Sequence, residues 1–189
     1  MRKITTLLLP MLCSILFSNA QFFKTSVKDE DFNDSLSRIV YGFKTNFYPI
    51  QARQLTSEGL VDVFESSVKI PGAAHCIIQR YHSEEDTTAS WQAIMYDGDS
   101  FDEAAKIYKN TYRLIKKSKI KYGTSTNYSF TGSMEAPSEE IRFTVSPLRL
   151  NTSDKDYEHF YAEVEITSNF PNWEVHLNMH SKKNDDEKY

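Results

Sequence analysis

The chain has 189 residues, hydrophobic side chains at 40% of its positions and a net charge of −4. That length and apolar content fit one ordinary domain with a sizeable core. The negative charge excludes a general attraction for nucleic acid or anionic lipid, because both are bound through clustered Lys and Arg.

Residues 1–20 have the layout of a secretory signal peptide. A basic start is followed by an apolar run from Ile4 to Phe17 and by small residues before Ala20. The apolar run is too short to span a bilayer comfortably, and no later stretch reaches the ~20 apolar residues that a span requires. We therefore expect cleavage after Ala20 and a periplasmic or secreted mature protein.

The two cysteines leave no internal disulfide in such a mature protein. Cys13 lies inside the predicted signal, and the bulky Met11 and Leu12 before it make lipidation the weaker alternative. Cys76 then stands alone. His82 shares its predicted strand face but lies ~20 Å away, so a nucleophilic pair is excluded in a regular strand. A buried structural thiol is the better interpretation of Cys76.

Two segments have the apolar spacing of amphipathic helices. The first covers Asp31–Phe43 and carries carboxylates at its start, as the helix dipole favours. The second begins with a capping box formed by Ser100 and Glu103 and ends among lysines. The two apolar stripes consist of Phe32, Leu36, Ile39, Val40 and Phe43, and of Phe101, Ala104, Ala105, Tyr108, Tyr112 and Ile115.

Three strands are predicted between the helices, where the apolar period changes to two. They cover Phe64–Ile70, His75–His82 and Ser90–Tyr96. Pro71-Gly72 ends the first of them, and Asp97-Gly98 turns the last into the second helix.

After the second helix, four stretches alternate between apolar and polar residues. Their apolar sets are Tyr128, Phe130 and Met134; Ile141, Phe143 and Val145; Phe160, Ala162, Val164 and Ile166; and Trp173, Val175, Leu177 and Met179. The residues between them, such as Thr144 and Ser146, are expected on the solvent face. Strands of this kind form an antiparallel sheet with one wet face.

The predicted fold is α+β, with two amphipathic helices packed on an antiparallel sheet. The order is helix, three strands, helix, three strands and a final strand. A shift of about 69 residues places Phe32 on Phe101, which suggests a duplicated α-βββ unit; the alternative is an unrelated sheet with helices on one face. The domain organisation is a signal peptide over 1–20, one domain over 21–180 and a flexible polar tail over 181–189.

The last two strands contain the one histidine pattern with a geometric basis for metal binding. Pairing of Ile166 with Trp173 would set His159 opposite His180 and Glu163 opposite His176, all on the wet face. Two imidazoles at that spacing could hold Zn²⁺ or Cu²⁺. The alternative is four solvated strand residues, and a two-residue slip in register dissolves the pairing. The candidate metal ligands are His159, Glu163, His176 and His180.

No other motif indicates catalysis. The acids between Asp97 and Glu103 lack the pattern of a calcium loop and are explained by helix capping. Glycine-rich phosphate loops, G-x-S-x-G, H-E-x-x-H and C-x-x-C motifs are absent from the sequence. We therefore predict no catalytic residues and no cofactor.

These observations favour an exported, non-catalytic binding or protein-interaction module. Its partner would be a protein, a glycan or a small molecule, bound through the sheet face or a groove, and the same face could join two copies in a homodimer. The alternative is a small hydrolase or metal-dependent enzyme that uses histidines and carboxylates from separate strands.

Overall fold

A computed structural model describes residues 28–83, 87–122 and 126–181. The predicted signal peptide and the tail from residue 182 onward lie outside these residues. The described chain forms a nine-stranded antiparallel sheet with two α-helices, and the helices pack on one face of the sheet. The α+β class is as predicted.

The helices are α1, Asp29–Phe43, and α2, Phe101–Lys117. The strands are β1, Gln51–Glu58; β2, Val61–Ser66; β3, His75–Tyr81; β4, Ala89–Gly98; β5, Lys119–Tyr122; β6, Thr126–Gly132; β7, Phe143–Asn151; β8, Phe160–Asn169; and β9, Asn172–Ser181. Their order across the sheet is β1-β2-β3-β4-β9-β8-β7-β6-β5. Each helix therefore precedes one meander, and the two meanders meet at the β4–β9 pair in the centre of the sheet.

Both helices bury most of the stripe that their spacing predicts, and Phe43 and Phe101 are half-buried. In α1, Phe32, Leu36, Ile39 and Val40 are buried, and α2 packs its buried side against β4, β6, β8 and β9. The Ser100 side chain accepts a hydrogen bond from the Glu103 backbone N–H, so the predicted cap of α2 is present. Within the described residues, no helix is long and apolar enough to cross a membrane.

The sheet has two strands more than the sequence predicts. Strand β1 is an edge strand whose residues after Gln51 are all exposed, so it has no apolar alternation to reveal it. Strand β5 has four residues, too few for a period to be read. The predicted order of three, three and one strands is therefore replaced by four strands after α1 and five after α2.

Strand β7 presents the opposite face to the one predicted. Thr144 and Ser146 are buried, whereas Phe143 is 53% exposed. The strand continues to Leu148 and Leu150, which are both buried. Because alternate residues of a strand share a face, Thr144 and Ser146 lie on the core side with them. The buried Ser146 hydroxyl is satisfied by hydrogen bonds, so its burial carries no unpaired polar group.

Strands β8 and β9 form the predicted antiparallel hairpin, but with a different register. Ile166 pairs with Val175, two residues beyond the predicted partner Trp173. Trp173 is buried as expected, and its ring contacts Phe101 at 4.9 Å between centroids. The two-residue shift keeps every apolar side chain on the core face, which is why alternation cannot distinguish the two registers.

Candidate ligand-binding face

Polar side chains line the centre of the sheet on the side opposite the helices. They alternate with core residues along four neighbouring strands, β3, β4, β9 and β8. We call this set the open face: Gln79, Ser90, Gln92, Tyr161, Glu163, Glu165, Glu174, His176, Asn178 and His180. All ten are half-buried because they pack against one another across the strands.

A hydrogen-bonded network runs through the middle of the open face. The His176 imidazole lies between two carboxylates, with Nε2 at 2.9 Å from Glu174 and Nδ1 at 3.8 Å from Glu165. The Asn178 amide donates to Glu165 at 3.2 Å, and Gln92 donates to the Asn178 carbonyl at 2.9 Å. The network therefore orients side chains from three strands.

Burial raises the pKa of Glu165 above its usual range. Attraction to His176 and the hydrogen bond from Asn178 act in the opposite direction but are smaller, and repulsion from Glu163 and Glu174 adds to the increase. The ionised carboxylate is therefore incompletely compensated in the folded protein. A positive charge brought to this position would stabilise it.

One end of the open face borders a polar cavity of about 360 Å³. Gln79, Ser90, Gln92 and His180 contribute to its lining, all of them groups that form hydrogen bonds. The His180 Nε2 atom also lies 3.3 Å from the Glu163 carboxylate, close enough for an ion pair when the imidazole is protonated. The cavity thus offers neutral donors and acceptors beside the acidic centre of the face.

The four predicted metal ligands are only partly brought together. His180 lies opposite Tyr161, and Glu163 lies opposite Asn178, so neither predicted pair forms. His159 lies one residue before β8 begins. No group of three or more His, Cys, Asp or Glu side chains suited to a metal ion occurs among the described residues. The register that motivated a metal site is therefore wrong.

Cys76 has the environment of a structural thiol. It is 3% exposed, and burial raises its pKa, which disfavours the reactive thiolate. His82 instead lies 3.3 Å from Asp62 and 3.2 Å from the Gly59 carbonyl.

A second cavity, of about 340 Å³, lies at the connection between β7 and β8. Its Asp154 carboxylate is 2.5 Å from the Lys44 ammonium, which also lies 3.0 Å from Asp156. The hydrogen bond from Lys44 holds the pKa of Asp154 below its usual range. Because these charges are already paired, the open face is the stronger candidate for a ligand.

Several open-face residues could not be selected from the sequence. Alternation places Glu165, Glu174 and Asn178 on the wet face, but only the register shows that Glu165 meets His176. Gln92 joins them because β4 pairs with β9 across a long separation in sequence.

Comparisons with known proteins add no family to this description. A scan against protein-family models, a search of curated proteins and a search of solved structures each found no significant match. The function has to be inferred from the residues of this chain.

Proposed function

We propose that the protein is an exported, non-catalytic binding module whose open face takes a positively charged partner. The observation that carries this proposal is the set of three half-buried glutamates, Glu163, Glu165 and Glu174, on two adjacent central strands. Glu165 and Glu174 have one ion partner among the described residues, the His176 that they share. Glu165 and Glu174 therefore carry more negative charge than the single imidazole between them can neutralise.

A cationic protein segment is the occupant that this chemistry favours. Lysine or arginine side chains would neutralise the glutamates, while amide and imidazole groups would bond the partner's backbone. A second copy of this chain is a less favourable occupant, because it would bring a like-charged surface against the same glutamates. The polar cavity beside His180 gives room for an uncharged side chain or a sugar ring of the partner.

Binding is favoured over catalysis because neither of the two described cavities encloses the perturbed carboxyl group. Glu165 and His176 line neither of the two cavities described above. Both side chains are held in a network with Asn178 and Glu174, which fixes their positions. A face of this kind is preorganised for recognition rather than for excluding water around a reacting bond.

Affinity for a cationic peptide tests the proposal. The probe is a synthetic peptide of alternating lysine and serine, titrated by calorimetry into the protein without residues 1–20. We expect saturable binding that weakens with salt. The double variant Glu165→Gln/Glu174→Gln should weaken it by about tenfold or more, equivalent to ~1.4 kcal/mol.

The control is the double variant Glu30→Gln/Glu58→Gln, which removes the same number of charges from exposed positions on α1 and β1. It should bind the peptide as the unsubstituted protein does. Equal losses in the control and in Glu165→Gln/Glu174→Gln would show that only net charge attracts the peptide, and the open face would then not be the site.

Export rests on the sequence of residues 1–20. Mass spectrometry of the amino-terminal peptide of the protein from a periplasmic or secreted fraction should show a start at Gln21. An intact Met1 in that fraction would contradict cleavage.

We also propose that the two helix–meander units arose by duplication. Each begins with a helix that packs an aromatic residue near its start, Phe32 or Phe101, against the core, and their last strands, β4 and β9, lie side by side. The second unit has one strand more than the first, so the repeat is of layout rather than of length.

A further inference from the structure

Arg80 is a buried cation on the helix side of β3. It is 8% exposed, and its Nε and Nη2 groups donate to the Gln51 side-chain oxygen at 3.2 and 2.8 Å. Nη2 also donates to the Asn46 carbonyl at 2.9 Å. The buried Nη1 group has no hydrogen-bond partner within the part of the chain that the structure describes.

The nearest acid by strand pairing does not neutralise Arg80. Asp62 is its cross-strand partner on β2, but the Asp62 carboxylate accepts from Gln54 at 3.1 Å and lies 3.3 Å from His82. A buried charge with an unsatisfied donor is costly, and buried arginines are normally paired with an anion. Arg80 therefore has the capacity for an anion that no described side chain supplies.

The cover over Arg80 is an exposed aromatic ring. The Tyr48 ring lies 3.8 Å from the guanidinium carbon and is 61% exposed, so the ring can turn away without loss of core packing. In the chain, Tyr48 follows Asn46 and Phe47, which have φ values of 54° and 60°. Left-handed conformations are uncommon for such residues and are concentrated at functional sites.

We propose that Arg80, Gln51 and Tyr48 form a binding site for a small carboxylate. The planar guanidinium suits a planar carboxylate, which would accept from Nη1 once the Tyr48 ring has moved. The Gln51 side-chain oxygen accepts from Arg80, and the amide nitrogen of the same Gln51 side chain is a further donor near the guanidinium. Because the chain carries a net charge of −4, capture of an anion must depend on this local cation.

This site is separate from the open face. Arg80 lies on the opposite side of the sheet from Gln79 and Ser90, so a cationic partner and a carboxylate would occupy different surfaces. Loss of one binding activity leaves the other proposal standing.

The test is an acetate titration followed by ¹H–¹⁵N NMR of the Arg80 Nε–H group. Sodium chloride keeps the ionic strength constant. We expect a saturable shift of this signal and a rise in melting temperature that saturates over the same acetate range. Arg80→Gln should lose the rise in melting temperature, whereas Arg53→Gln, a substitution in the exposed strand β1, should retain it.

A second variant keeps the test decisive if Arg80→Gln does not fold. Tyr48→Ala removes the exposed cover, so half-saturation should need less acetate than in the unsubstituted protein. The site would be overturned if the Arg80 Nε–H signal showed no saturable shift with acetate in the unsubstituted protein or in Tyr48→Ala. It would also be overturned if the melting temperature rose equally and linearly with acetate in the unsubstituted protein and in Arg80→Gln. Saturation by phosphate but not by acetate would contradict a carboxylate site.

Discussion

Tyr108 and Ser146 form a buried polar contact whose energy can be worked out from its geometry. Both residues are fully buried, one on α2 and the other on β7. The Tyr108 hydroxyl donates to the Glu135 carbonyl at 3.2 Å and bonds the Ser146 hydroxyl, which accepts from the Glu135 N–H at 2.8 Å. Each hydroxyl keeps its full set of hydrogen bonds only while both side chains are present.

We expect Ser146→Ala and Tyr108→Phe each to lower the free energy of unfolding by about 1–3 kcal/mol. Each change leaves a buried donor or acceptor without its partner, which costs the desolvation of that group. The second change then removes a hydroxyl that has already lost one of its hydrogen bonds. The double variant should therefore cost less than the sum of the single variants by ~0.5–3 kcal/mol.

Urea denaturation with linear extrapolation measures these differences. Ser57→Ala and Tyr48→Phe are the controls, because both residues are exposed, and each should stay within about 0.5 kcal/mol of the unsubstituted protein. Single variants within the range of the controls, or strictly additive losses, would refute the coupling between α2 and β7.

Three further expectations concern the hairpin, the open face and the thiol. Trp173→Ala should cost about 3–5 kcal/mol, because the ring is buried against Phe101; a loss below about 1 kcal/mol in urea denaturation would contradict that packing. Glu165→Gln should stabilise the protein at neutral pH, because the raised pKa of the carboxyl disfavours its charged form in the folded state. That gain should shrink as pH falls from the raised pKa towards the usual glutamate value, and it should vanish below that value, where the carboxyl is protonated in both states. Urea midpoints that diverge further in acid would count against it. Cys76 should react slowly with a thiol reagent in buffer and quickly in urea, whereas equal rates would place it at the surface.

The sequence predicts both helices and the closing hairpin because each has one fully apolar side. The alternation that places Trp173 in the core also places His176 on the opposite face, and both positions are found. Alternation determines on which face of the sheet a side chain lies, but it permits register slips of two residues. The cross-strand partners of Glu163 and His180 could therefore not be derived.

The other errors have local causes. In β7, Phe143 and Val145 look like core residues beside Thr144 and Ser146, but the later Leu148 and Leu150 decide the parity. Arg80 gives no sequence signal, because its burial depends on the Tyr48 turn, which lies 32 positions earlier in the chain.

Chemical-shift mapping with the lysine–serine peptide locates the peptide on the protein surface. The peptide is added to ¹⁵N-labelled protein, and the shifted amide signals are located on the sheet. We expect the largest shifts at Gln92, Glu165, His176 and Asn178, with little change along the exposed side of α2. Shifts spread over the acidic start of α1 and the sheet alike, or confined to the helix side, would contradict binding at the open face.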